Sequence, residues 1–185
     1  MENIPTRTPS ELRSALEESW AELFSAIRVA ENKWDDRLLI PEDDDSAAWS
    51  PRHAAWHAVA GELFRTAYLN HVVSRELGLN GGMMQFAASP AGAEAGLDAL
   101  GDRARATRTT EEMLAAGTEA REASVRFIDR LTSEDLNAPA TLGDFMQGYL
   151  KLHGQVASND VRGSLVHGAV HLRDHARQIA AGSDQ

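Results

Sequence analysis

Three segments of the chain open with residues that cap an α-helix, and these starts constrain the fold more than any other feature. The sequence reads TPSE from Thr8 to Glu11, a cap followed by proline at the first helical position and glutamate at the third. Ser50-Pro51 repeats the cap and the proline, and Thr109 precedes Glu112 by three residues. Apolar residues then recur at helical spacing, and no alternating strand pattern is found. The sequence therefore predicts an all-α fold.

Four long helices are predicted, over roughly residues 9–32, 50–77, 109–131 and 160–181, with a shorter helix at Asp144–Leu152. The long connection Gly78–Thr107 separates the second helix from the third. Because amphipathic helices bury their apolar faces against one another, we predict a four-helix bundle with a long crossover between helices 2 and 3. A chain of 185 residues suits one domain, residues 1–185.

The composition narrows the classes of partner. A net charge of −10 argues against nucleic acid and against an anionic membrane surface, since both require a basic patch. The chain has no cysteine, which excludes disulfides, a cysteine nucleophile and thiolate metal ligands. No apolar run suits a signal core or a membrane span. We expect a cytoplasmic protein with a small-molecule substrate and no nucleic-acid or membrane partner. The sequence does not decide between a monomer and a homodimer.

Histidines recur every four residues in the last predicted helix, at His167, His171 and His175. This spacing stacks the side chains along one helix face, with neighbouring Cβ atoms about 5–6 Å apart. An adjacent pair can hold one metal ion, but zinc takes three or four ligands. The pair His167/His171 has the same geometry as the pair His171/His175, so the spacing alone does not choose between them.

A third ligand must come from another part of the chain, and His57 in the second helix is the best candidate. It lies among alanines and a tryptophan, where an imidazole needs a partner. That partner is either a metal or a hydrogen bond to the backbone or to Glu62. His53, one turn earlier, is an accessory candidate, whereas His71 and His153 are predicted to be surface or loop residues.

Two short motifs resemble those of the DinB/YfiT-like family of metalloenzymes. The first is WSP at Trp49–Pro51 followed by His57, and the second is His171-x-x-x-His175 followed by ARQI. This chain differs at Ala176, where the family often has another histidine. The resemblance implies a four-helix bundle with a long crossover. It also implies a divalent metal, zinc or nickel, held by one histidine of the second helix and two of the last, which here are His57, His171 and His175.

A site of three neutral imidazoles leaves the metal an open coordination position. A water there can have its pKa lowered to about 7 for hydrolysis, or a substrate thiol can be deprotonated. Some relatives in the family resemble thiol S-transferases, and a cysteine-free chain would need a low-molecular-weight thiol. We therefore expect a metal-dependent S-transferase or a hydrolase-like enzyme. The alternative is a non-catalytic bundle that binds or sequesters a small molecule, with the metal structural or absent.

The imidazole ligands also predict a pH dependence. A histidine must be neutral to bind a metal, and the ordinary pKa of its side chain is about 6.5. On the sequence alone, metal affinity is therefore expected to fall as the pH drops through about 6.

Overall fold

The computed structural model describes residues 7–36, 49–74, 83–95, 108–141, 144–155 and 158–183, and this part of the chain is all-helical. The helices are α1 (Pro9–Val29), α2 (Pro51–Ser74), α3 (Met83–Ala87), α4 (Pro90–Ala95), α5 (Thr110–Ile128), α6 (Asp144–Leu152) and α7 (Val161–Ser183). An isolated β-bridge joins Pro139 and Asp160. The all-α prediction is confirmed. Within the same ranges, no helix has the length and apolar character that crossing a membrane requires.

Side-chain caps fix the starts of the helices. In α1 the Thr8 Oγ1 accepts from the backbone N–H of Glu11 at 3.3 Å, and the Glu11 carboxylate accepts from the N–H of Thr8 at 2.7 Å. Thr109 and Glu112 make the same reciprocal pair at α5, at 3.2 and 2.8 Å. The Asp160 carboxylate accepts from the third N–H of α7 at 2.8 Å. Each cap satisfies backbone donors that have no partner inside the helix.

The helix ends differ from the prediction more than the starts do. The first α-helix ends at Val29 and continues as a 3₁₀ turn, Ala30–Lys33, instead of running to residue 32. The third ends at Ile128 and not at residue 131, because the chain turns there into a new capped segment in which the Asp135 carboxylate accepts from the N–H of Thr132 at 2.8 Å. Residues 75–77 of the second predicted helix lie outside the described residues.

Each of the four long helices packs mainly against two of the others. α1 and α2 both contact α5 and α7, and α7 contributes a face to each of them. The residues buried between these helices are mainly apolar. They include Trp20, Leu23, Ile27, Val59, Leu69, Met113, Ile128, Leu172 and Ile179. His171 and His175 of α7 lie against α2, with their rings 5.1 and 5.0 Å from that of His57.

The two short helices lie in the connection between α2 and α5. Phe86 of α3 is fully buried, with its ring 5.3 Å from that of Phe64 and 5.7 Å from that of Tyr68. This part of the connection is thereby packed on α2. Residues 75–82 and 96–107 of the connection lie outside the described residues.

Candidate metal centre

Three histidine rings converge at the interface of α2 and α7. His57 projects from α2, and His171 and His175 project from consecutive turns of α7. Each offers one ring nitrogen, and the three nitrogens lie within 4.8 Å of one another. The ring centroids are 4.5 Å apart for His171 and His175, and 5.1 and 5.0 Å from His57 to these two. These three histidines are close enough together to bind one metal ion.

The closest approach is between His171 and His175, whose Nε2 atoms are 3.1 Å apart. Zinc bound tetrahedrally to two imidazoles, with bonds of about 2.0–2.1 Å, places the two nitrogens about 3.3 Å apart. The planes of the two rings are nearly perpendicular, at 87°. The pair is therefore already close to the spacing of two ligands on one ion.

Gln178 determines which nitrogen of His175 carries the proton. Its side-chain oxygen lies 2.7 Å from Nδ1 of His175 and can only accept, so Nδ1–H donates and Nε2 presents a lone pair. Metal-ligating histidines usually donate their second N–H to a carbonyl or carboxylate in this way. The histidine pattern does not single out Gln178, although its spacing of three residues from His175 puts both on one helix face.

Gly61 of α2 faces the ring of His171. A Cβ atom built at residue 61 would lie 3.4 Å from Cε1 of that ring, which is ordinary van der Waals contact. Nδ1 of His171 is buried and has no hydrogen-bond partner among the described residues.

Trp49 forms an aromatic wall on one side of the centre. Its ring lies 5.0 Å from that of His57 and 5.9 Å from that of His175. His53, the accessory candidate, stacks on Trp49 at 4.5 Å with its ring plane tilted by only 7°, and it is not one of the three converging residues. The tryptophan of the WSP motif thus covers the centre and does not only precede a helix cap.

Burial keeps the three imidazoles neutral. It lowers the pKa of His57 to about 3, with neighbouring imidazoles and Arg65 adding to the effect. It lowers the pKa of His175 to about 4, against the opposing effect of the hydrogen bond that His175 donates to Gln178, and the pKa of His171 well below 6.5. At neutral pH each of the three rings is therefore uncharged and holds one lone pair.

His167 lies one turn before His171, with the ring centroids 5.7 Å apart, but it is bound elsewhere. Its Nδ1 accepts from Nη2 of Arg65 at 2.9 Å. Burial and this guanidinium lower the pKa of His167 to about 3. Of the two pairs that the spacing left open, the structure brings His171 and His175 together with His57, and it brings His167 to Arg65.

A buried polar network continues from His167 through Arg65 to Glu62 and Ser124. Arg65 forms an ion pair with Glu62, and Glu62 accepts from the Ser124 hydroxyl at 3.3 Å. The side chain of Glu62 is 1% exposed and that of Arg65 is 5% exposed. Glu62, considered from the sequence as a partner for His57, binds Arg65 instead. An acid and a base three residues apart on a helix predict a surface pair, so the sequence carried no signal of this burial.

Gly168 makes room for the network. A Cβ atom there would lie 2.6 Å from Nη1 of Arg65 and 2.9 Å from a carboxylate oxygen of Glu62, closer than real Cβ atoms approach. The glycine in the middle of α7 therefore lets the buried ion pair pack against the helix backbone.

Tyr149 of α6 covers another side of the histidine column, which is formed by His167, His171 and His175 of α7. Its hydroxyl donates to the Asp174 carboxylate at 3.0 Å, and its ring lies 5.5 Å from His167 and 4.5 Å from His153. Burial and the Asp174 carboxylate raise the pKa of this phenol. His153 and His71 were predicted as surface or loop residues. His153 lies in the turn after α6 and is half-buried, whereas His71 is half-buried within α2, 5.1 Å from the ring of Phe86.

Comparison of the chain with protein-family models, with curated proteins and with solved structures finds no match. Three neutral imidazoles on two packed helices suit a divalent cation of the first transition row, which favours nitrogen ligands.

Proposed function

We propose that the chain is a metal-dependent enzyme built on a three-histidine site for a divalent ion, zinc or nickel. The observation that carries this proposal is the convergence of three neutral imidazole nitrogens, with the Nε2 atoms of His171 and His175 only 3.1 Å apart. Structural zinc is normally closed by four protein ligands, whereas three ligands leave a position for a reactant. His57 supplies the third ligand across the helix interface.

The surrounding residues suit this role. Gln178 orients the lone pair of His175, and Gly61 lies against the ring of His171. The ring of Trp49 packs beside the rings of His57 and His175. A divalent ion bound there would supply Lewis acidity that lowers the pKa of a water or a thiol at the open position.

We propose two reaction classes for this site, S-transfer with a low-molecular-weight thiol and hydrolase-like chemistry on a small molecule. Because the chain has no cysteine, the thiol would be a cofactor or a substrate. Lone pairs on neutral imidazoles leave the ion its full charge, which both reactions need. The resemblance of the WSP and His-x-x-x-His motifs to the DinB/YfiT-like family supports the same proposal.

The proposed architecture is a four-helix bundle with a long crossover. Support comes from the contacts of α1 and α2 with the same two helices, α5 and α7. The crossover would be the chain between Ser74 and Thr110, which carries the two short helices. In this arrangement the centre lies between α2 and α7, where ligands from two bundle helices meet.

Cobalt substitution of protein prepared without a histidine tag tests the proposal. Co²⁺ binds the same nitrogen ligands as zinc, and its visible absorption spectrum depends on which ligands are bound. We expect a bound cobalt whose spectrum gains a sulfur charge-transfer band on addition of N-acetylcysteine. We also expect thiol transfer to 1-chloro-2,4-dinitrobenzene or hydrolysis of 4-nitrophenyl acetate, either of which is lost in His57→Ala. If cobalt binds but no thiol coordinates it, and neither substrate is turned over, the non-catalytic binding role would be favoured.

A further inference from the structure

His167 has a fixed tautomer. The hydrogen bond at its Nδ1 comes from Arg65, whose guanidinium can only donate and stays protonated in proteins. Nδ1 must therefore hold the lone pair, and the proton of the ring must be on Nε2. A ring in this state is neutral, and a protonated Nε2 cannot bind a metal. The same contact that removes His167 from the ligand set makes it a hydrogen-bond donor.

Buried side chains fix the orientation of His167. Arg65 is 4% exposed and ion-paired with Glu62, which is 1% exposed. Ser124 donates to Glu62 at 3.3 Å and shares a 3.0 Å hydrogen bond with Thr66. A chain of buried hydrogen bonds orients its last member before a ligand binds, although Nε of Arg65 has no hydrogen-bond partner among the described residues.

The donor lies next to the metal centre. The ring of His167 is nearly parallel to that of His171, at 20° and 5.7 Å between centroids, one turn further along α7. Tyr149 packs against it at 5.5 Å and 61°, which keeps the ring in place. Nε2 of His167 makes no hydrogen bond to any other described residue. A donor without a partner beside a site with an open position is available to the molecule that occupies that position.

We propose that His167 is a substrate-binding residue that donates its Nε2–H to a carbonyl oxygen of the molecule bound at the metal centre. The inference rests on the proposed function and adds a substrate class to it, namely small neutral carbonyl compounds. Glu62 cancels the charge of Arg65, and His167 is neutral, so this end of the site has no net charge to attract a carboxylate. Arg65 is a positioning residue, because it acts only through the tautomer of His167.

Two thiols of the same shape test the carbonyl contact in the cobalt-loaded protein. 2-Mercaptoacetamide and 2-methyl-1-propanethiol both bind a metal through sulfur, but only the first brings a carbonyl oxygen. The sulfur charge-transfer band gives the affinity of each. We expect His167→Phe to weaken binding of the amide about tenfold, the value of one neutral hydrogen bond, and to leave the alkyl thiol within about twofold. His167→Gln keeps an N–H donor and an acceptor for Arg65, so it should retain most of the preference.

The tautomer is read independently on metal-free wild-type protein with ¹⁵N-labelled histidine. We expect the nitrogen resonances of His167 to show a protonated Nε2 and an unprotonated Nδ1. A protonated Nδ1, or an equal loss of affinity for the two thiols in His167→Phe, would overturn the proposal. If His167→Phe does not fold, the tautomer and His167→Gln still decide it. Failure of the wild type to bind cobalt would contradict the proposed function and leave the tautomer result standing by itself.

Discussion

The Nε2 atoms of His171 and His175 lie 3.1 Å apart on consecutive turns of α7. Two imidazole nitrogens this close either share a proton or share a cation, since two lone pairs repel each other. Gln178 holds the proton of His175 on Nδ1, so the lone pair of its Nε2 faces His171. With His57 facing both rings from α2, the three histidines are close enough together to bind one ion.

The hydrogen bond between Gln178 and His175 should contribute to metal affinity. Replacing Gln178 with leucine removes the acceptor that orients the imidazole, and the loss of such a partner typically costs 10–100-fold in affinity. We expect Gln178→Leu to weaken zinc binding by about that factor, and Gln178→Glu to preserve it. Competition with a chromophoric chelator measures both. The neighbouring exposed Arg177 provides the control, and an equal loss in Arg177→Leu would contradict the assignment.

The close packing at Gly168 should make it intolerant of a methyl group. Gly168→Ala places a Cβ 2.6 Å from Arg65, and such overpacking costs about 1–3 kcal/mol. Gly148 is the matched control, because it is also helical and a Cβ there has no neighbour within 4 Å among the described residues. Gly148→Ala should be neutral or stabilising by up to about 1 kcal/mol, from helix propensity alone. Urea unfolding that shows equal effects for the two variants would be inconsistent with the packing described.

The buried ion pair predicts a strong asymmetry between single and double substitutions. Arg65→Leu leaves the Glu62 carboxylate buried without its partner, which costs about 3–5 kcal/mol, whereas Glu62→Leu with Arg65→Leu should recover much of that loss. The exposed pair of Arg126 and Glu122 is the control, with side chains 68% and 57% exposed. Arg126→Leu should cost no more than about 0.5 kcal/mol. Free energies of unfolding that are equal for Arg65→Leu and Arg126→Leu would refute the buried pair.

The metal-free protein should lose stability as the pH falls below 6.5. Burial lowers the pKa of His57 to about 3 and that of His175 to about 4, while the unfolded chain takes up these protons near 6.5. Because the unfolded state then binds more protons, the stability that the neutral rings provide is present above pH 6.5 and is lost towards pH 4. Each ring contributes on the order of 1 kcal/mol per pH unit. Urea unfolding between pH 7.5 and 5.5 should show this slope. The slope should be smaller in His167→Gln, because burial also lowers the pKa of His167 to about 3.

The same burial changes the pH range expected for metal binding. An imidazole with its ordinary pKa would lose zinc as the pH drops through about 6. In the folded chain the protons compete only at lower pH, so the zinc affinity of the native protein should change little between pH 7.5 and 5.5. Its apparent dependence on pH would then come from unfolding. A tenfold loss of affinity per ring over this range, in protein that stays folded, would show that the rings are not shielded.

The helix starts could be predicted from the sequence, whereas some helix ends could not. The capping pair of Thr8 and Glu11 is local, so it is visible in four consecutive residues. The end of α5 at Ile128 depends on the next segment of the chain, because the turn capped by Thr132 and Asp135 begins before the helical pattern of apolar residues runs out. Propensity and periodicity do not record that competition.

The histidine column could also be predicted, but not the roles along it. Spacing placed His167, His171 and His175 on one face and made two adjacent pairs equivalent. The distinction comes from Arg65, which is 102 residues away from His167 in the chain and adjacent to it in space. Gln178 and Trp49 likewise acquire their contacts only when α2 and α7 pack. Sequence pattern therefore finds candidate ligands, and tertiary contacts decide what each nitrogen does.

The most direct test of the metal centre is the divalent metal content of tag-free protein, measured by mass spectrometry after gel filtration. We predict about one ion per chain in the wild type and in His167→Gln, and none in His57→Ala or His175→Ala, because each of these removes one of three ligands. Circular dichroism would check that all four proteins remain helical. Full retention of metal in His57→Ala or His175→Ala, or its loss in His167→Gln alone, would contradict the site.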